Sequence, residues 1–137
     1  MGKMYVGIDI AKDRSSACGI EEGGRTLFEL TFTMDGAGFA ELLKTIEANS
    51  GTPGNVVAAM ESTACYHINL YSFLSAKGID AVIINPLLIA NYAKLSLRRT
   101  KTDKKDAKTI ARFILAHKDS VTQLAISQDM QDIRDMA

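Results

Sequence analysis

Met4-Tyr5-Val6-Gly7-Ile8-Asp9-Ile10 reads as a buried β-strand that carries one acid. Apart from Gly7 and Asp9, every residue in it is apolar. An unbroken apolar run of this length suits a strand covered on both faces. Asp9, close to its carboxyl end, is the exception. The plain explanation is a strand-end aspartate that turns the chain, and Lys12-Asp13-Arg14 has the composition of a turn. Working outward, Ser15 to Ile20 reads as a second strand and Glu21-Glu22-Gly23-Gly24 as a hairpin loop. Arg25 to Thr33, with Leu27, Phe28, Leu30 and Phe32, reads as a third strand. Strands so close in sequence pair antiparallel, because a parallel partner needs a longer crossover.

The rest of the chain alternates. Asp35 to Asn49 has Phe39, Leu42, Leu43 and Ile46 on one helical face, and Gly51 and Pro53 end it. Val56 to Met60 is a fourth strand, ending at Glu61. Ser62 or Thr63 can cap the next helix, whose stripe is Tyr66, Leu70, Phe73 and Leu74; Gly78 terminates it. Ala81 to Ile84 is a fifth strand, and Asn85-Pro86 opens a short helix through about Leu95. A further helix spans the segment up to Ala116, and Ser127 to Ala137 reads as the start of another. The order βββαβαβα(α) predicts an α/β fold, a mixed five-stranded sheet flanked by helices with right-handed crossovers.

The 137 residues suffice for one domain with one core. Apolar content of 47% and charged content of 23% are those of a globular protein in water. The sixteen basic and sixteen acidic residues cancel, so bulk charge points to no partner. Cys18 and Cys65 are too few for a disulfide framework and lack metal-site spacing, which suits small core residues and a cytoplasmic location. No apolar run approaches the roughly 18 residues that a membrane span needs, and the N-terminus lacks a signal-peptide layout.

The charge distribution is more telling than the total. From Arg98 to Lys108, six bases (Arg98, Arg99, Lys101, Lys104, Lys105, Lys108) stand with two acids, Asp103 and Asp106. Thr102 is a candidate N-cap. In a helix starting there, at about 100° per residue, Asp103 and Asp106 share the face of Ala107, Ile110, Phe113 and Ile114. Lys101, Lys104, Lys105, Lys108 and Arg112 lie opposite. Helix-dipole stabilisation explains an acid in the first turn, but not Asp106 on the apolar side. Buried carboxylates are normally paired or metal-bound. Asp9 and Glu61 end two buried-type strands at the sheet edge where α/β sites collect. Four carboxylates brought together there would repel unless cations neutralised them. Oxygen ligands suit Mg2+ or Mn2+, and a pair of such ions can activate a nucleophile at a phosphodiester. The basic segment, with Lys12 and Arg112, would hold the polyanionic backbone.

Gly7-Ile8-Asp9-Ile10-Ala11-Lys12, Glu61-Ser62-Thr63-Ala64-Cys65-Tyr66, Asn85-Pro86 and Lys101-Thr102-Asp103-Lys104-Lys105-Asp106-Ala107 together resemble the DEDD insertion-sequence transposases, the Piv-like DNA recombinases. The resemblance runs from about Tyr5 to Ala116, and its specific part is the Lys-Thr-Asp-x-x-Asp-Ala string. It implies a RuvC-like, ribonuclease-H-like amino-terminal catalytic domain over residues 1–125. Residues 126–137 would begin a helix leading to a carboxyl-terminal domain. It also implies that Asp9, Glu61, Asp103 and Asp106 are catalytic, hold Mg2+ or Mn2+, and work beside a serine of that second domain. The implied partners are DNA, a structured guide RNA in some members, and further copies in a homo-oligomer of the full-length protein. Ala64 departs from the family's usual glycine but removes no ligand. Two other readings compete. Actin-like kinases share the strand order and an early Gly-Ile-Asp, but need a glycine-rich phosphate loop that Ala11-Lys12-Asp13-Arg14 does not supply. A non-catalytic nucleic-acid-binding or assembly module would use the basic face alone, with structural acids.

Overall fold

The computed structural model of the protein describes residues 3–49, 53–62, 66–96 and 106–117. Strands β1 (Met4–Asp9), β2 (Arg14–Glu21), β3 (Thr26–Thr33), β4 (Val56–Glu61) and β5 (Asp80–Ile84) form one sheet in the order β3-β2-β1-β4-β5. The β1–β2 and β2–β3 pairs are antiparallel; β1–β4 and β4–β5 are parallel. Helices α1 (Gly36–Ala48), α2 (His67–Ala76), α3 (Pro86–Ser96) and α4 (Ala107–Ala116) flank this mixed sheet, as the sequence predicts.

Strand alternation sends side chains to two cores. Met4, Val6 and Ile8 of β1 join Ala58 and Met60 of β4 under α1 and α2, where Leu42, Ile46, Leu70 and Leu74 are buried. Tyr5 of β1 and Val57 and Ala59 of β4 meet Ile89 of α3 and Ile110, Phe113 and Ile114 of α4. Both faces of the central strands are therefore covered, which is why β1 and β4 carry apolar residues on both faces until Asp9 and Glu61 at their ends.

The ends of the helices follow from local chemistry. Asp35 caps α1, its Oδ1 accepting from the Gly38 N–H at 2.8 Å. α2 ends as expected at Gly78, whose φ of 83° lets the Ile79 N–H return to the Leu74 carbonyl. Asn85 Oδ1 accepts from the Leu87 N–H at 2.8 Å, so Asn85-Pro86 opens α3.

Two expectations are corrected. α2 begins at His67, with Tyr66 as an N-cap that makes no side-chain capping bond, so Ser62 does not cap it. Tyr66 is 39% exposed and outside the buried stripe, which is His67, Leu70 and Leu74. The second correction concerns Asp106. Its backbone is extended (φ −124°, ψ 179°) and it is the N-cap of α4, so it does not lie within a helix that starts at Thr102. Its Oδ1 accepts from both the Thr109 N–H and the Thr109 hydroxyl, each at 2.9 Å. Gly51, Thr63, Cys65, Thr102 and the helix expected from Ser127 lie outside the described residues.

Candidate functional site

The site is set by register. Gly7 pairs with Ala59 and Ile8 with Met60 in the parallel β1–β4 ladder. The next residues along, Asp9 and Glu61, end their strands side by side at the carboxyl edge. Alternation puts both on the face that carries Tyr5, Val57 and Ala59, the face that α4 covers. Asp9 is exposed; Glu61 is half-buried, and its Oε2 is fully enclosed.

Gly7 brings the helix down onto this edge. A Cβ there would strike the Ala107 carbonyl oxygen and the Ala111 amide nitrogen, so the backbones of β1 and α4 touch. Any larger residue would lift α4 and carry Asp106, one residue before its first turn, away from the sheet. Asp106 is half-buried and shares a cleft of about 290 Å³ with Ser16, the register partner of Asp9.

Asp9 and Glu61 thus share the carboxyl edge, and Asp106 precedes the first turn of the helix that seats on Gly7. Asp103 lies outside the described residues. Among the described residues no group of three or more His, Cys, Asp or Glu stands close enough to hold a metal ion. Part of the capacity of Asp106 is committed, since its Oδ1 caps α4. Asp9 and Glu61 offer hard carboxylate oxygens of the kind Mg2+ and Mn2+ prefer.

Of the bases expected to meet nucleic acid, Lys12 and Arg112 are exposed and Lys108 is half-buried. Arg98, Arg99, Lys101, Lys104 and Lys105 lie outside the described residues. Cys18 is buried beneath α4, and burial followed by the charge of Glu29 pushes its thiol up to about 11. A neutral thiol is a poor nucleophile, which leaves Cys18 a packing role. Ser16, Glu29 and Thr31 line the cleft but belong to no motif. Only the β2–β3 register, which opposes Ser16 to Thr31 and Cys18 to Glu29, brings them together.

The fold and its edge define an α/β domain with acids at the carboxyl ends of neighbouring parallel strands. The chain belongs to the DEDD transposase family, whose model, described as Transposase, matches residues 6–137. It is 39% identical over 113 residues to the pilin gene-inverting proteins of Moraxella lacunata and Moraxella bovis. Those matches take in 82% of this chain and 34% of each relative, so the chain spans about a third of their length. Among solved structures it is similar to component A of (R)-2-hydroxyglutaryl-CoA dehydratase from Acidaminococcus fermentans. That match has a TM-score of 0.48 and 12% identity, covering 72% of this chain and 37% of the other. No helix among the described residues is long and apolar enough to cross a membrane.

Proposed function

We propose that this chain is the ribonuclease-H-like catalytic domain of an insertion-sequence DNA transposase or recombinase. It would cleave and exchange DNA strands with Mg2+ or Mn2+, together with a serine from a carboxyl-terminal domain. The observation that supports this best is the side-by-side ending of Asp9 and Glu61 on parallel strands, with Asp106 on the helix that crosses them. Asp9, Glu61, Asp103 and Asp106 would hold the ions. Bound there, the cations would activate a nucleophile and neutralise the leaving oxygen of a phosphodiester. Lys12, Lys108 and Arg112, with the bases between Arg98 and Lys105, would hold the DNA backbone in register. In the longer relatives' context the domain would act in a homo-oligomer, and a structured RNA could choose the DNA.

The capping bonds of Asp106 favour a second reading for that residue, a structural acid in a module that only binds nucleic acid. One substitution separates the two. Asparagine caps a helix about as well as aspartate, so Asp106→Asn preserves α4 while removing the charge. Mn2+ at about 100 times its dissociation constant should stabilise the parent chain by about 2.7 kcal/mol. Asp9→Asn and Asp106→Asn should each abolish most of that thermal shift while melting normally without metal. Equal shifts in parent and variants would assign the acids a structural role.

A further inference from the structure

α4 packs on β1, β2 and β4, and a cleft opens where its first turn meets the outer part of β2 and β3. Its polar lining is Ser16, Glu29, Thr31, Asp106 and Lys108, with buried Cys18 between them. Ser16 pairs with Asp9 on one side and Thr31 on the other, so the cleft begins where the acid edge ends.

The chemistry of this lining is selective. With Asp106 committed to the α4 cap and, on the function proposed above, to a cation, Lys108 and Glu29 leave no net positive charge to draw an anionic group into the cleft. What remains is two hydroxyls, which donate or accept, and Glu29, which only accepts. A volume of about 290 Å³ is at the small end for a ligand cavity and suits one flat heterocycle. We propose that the cleft is a subsite for one unstacked nucleobase bearing an exocyclic amine, beside the phosphate handled at the acid edge. The subsite rests on the DNA-handling function proposed above. Glu29 accepts from the amine, as carboxylates do from N4 of cytosine. Ser16 and Thr31 serve the remaining edge, and Lys108 at the rim meets the adjoining phosphate. Thymine fits poorly, because its O4 would face the Glu29 carboxylate oxygen to oxygen. The strand must be unpaired where it enters, since a stacked base cannot reach the cleft.

Homopolymers test this without knowledge of the target sequence, because every register presents the same base. Labelled oligo(dC) and oligo(dT) would be titrated with the chain in Ca2+ at pH 8 and read by fluorescence anisotropy. The unaltered chain should bind oligo(dC) about tenfold more tightly. Glu29→Ala should bring that ratio close to one by weakening oligo(dC), while oligo(dT), relieved of the opposing carboxylate, binds as tightly as before or more so. Glu29 is exposed on strand β3, so the variant keeps its core, which a thermal melt verifies. Equal affinities in the unaltered chain, or a preference that survives Glu29→Ala, would overturn the subsite. Binding of neither oligonucleotide would bring down the DNA-handling function and the subsite with it.

Discussion

Cys18 lies between the sheet and α4, opposite Glu29 across the β2–β3 pair. Burial is the main cause that lifts its thiol from 9.0 to about 11, and Glu29 adds to it. A raised pKa means that the native state keeps a proton which the unfolded chain releases. The associated stability is full below about pH 9 and is lost as pH rises towards 11. Urea midpoints at pH 8 and pH 10.5 should therefore fall more steeply for the parent than for Cys18→Ala. Parallel declines would show that the thiol does not contribute. At this scale the sequence was a fair guide: a lone cysteine in an apolar alternation reads as core, and Cys18 is core. Asp106 was harder. Thr102 and Asp106 are both good capping residues, and helical periodicity alone admits either start. The choice was made by Thr109, whose N–H and hydroxyl both donate to the Asp106 carboxylate.

Among the elements, α4 against β1 is the contact that decides the site. Gly7, Ala107 and Ala111 let the two backbones meet, while Ile110, Phe113 and Ile114 fill the core around them. Gly7→Ala adds one methyl group where there is no room, and a backbone cannot swing aside as a side chain can. The expected cost is about 1–3 kcal/mol, the range for overpacking a core. Hydrogen exchange should speed up in α4 and not in α1, which packs on the other face of the sheet. Uniform loss of protection in both helices would argue against a local displacement. The five strands and their mixed pairing were legible because close strands must form hairpins and strands joined by helices run parallel. The adjacency of β1 and β4 has no local signal of its own; it follows from expecting Asp9 and Glu61 to stand side by side at one edge, and the sheet order agrees. Tyr66 shows the same limit: its spacing fits the Leu70–Leu74 stripe, but the helix starts one residue later and leaves it exposed.

For the molecule as a whole, zero net charge conceals a division of labour. Acids occupy the strand ends, and the exposed bases Lys12 and Arg112 and the half-buried Lys108 stand on the turn and helix nearby. If Lys108 and Arg112 each contact a phosphate, Lys108→Ala/Arg112→Ala should reduce the slope of log affinity against log salt by about two units. Both contacts would weaken binding uniformly across sequences, because phosphates carry no base identity. An unchanged slope would mark α4's outer surface as merely solvated. The Glu29 variant should show the opposite pattern, a changed base preference at constant slope.

The parallel ladder has a consequence for synthesis. Met4 leaves the ribosome early, yet its parallel partner is Val56, and the helix that seats on Gly7 begins only at Ala107. A nascent chain can form the β1–β2–β3 meander by itself, since those pairings are local. Asp9 then waits at an open edge for Glu61, and both wait for α4. The face that Asp9 and Glu61 share is therefore closed only once α4 has emerged, and a ribosome-bound fragment ending before α4 carries both strands without the helix that packs on them.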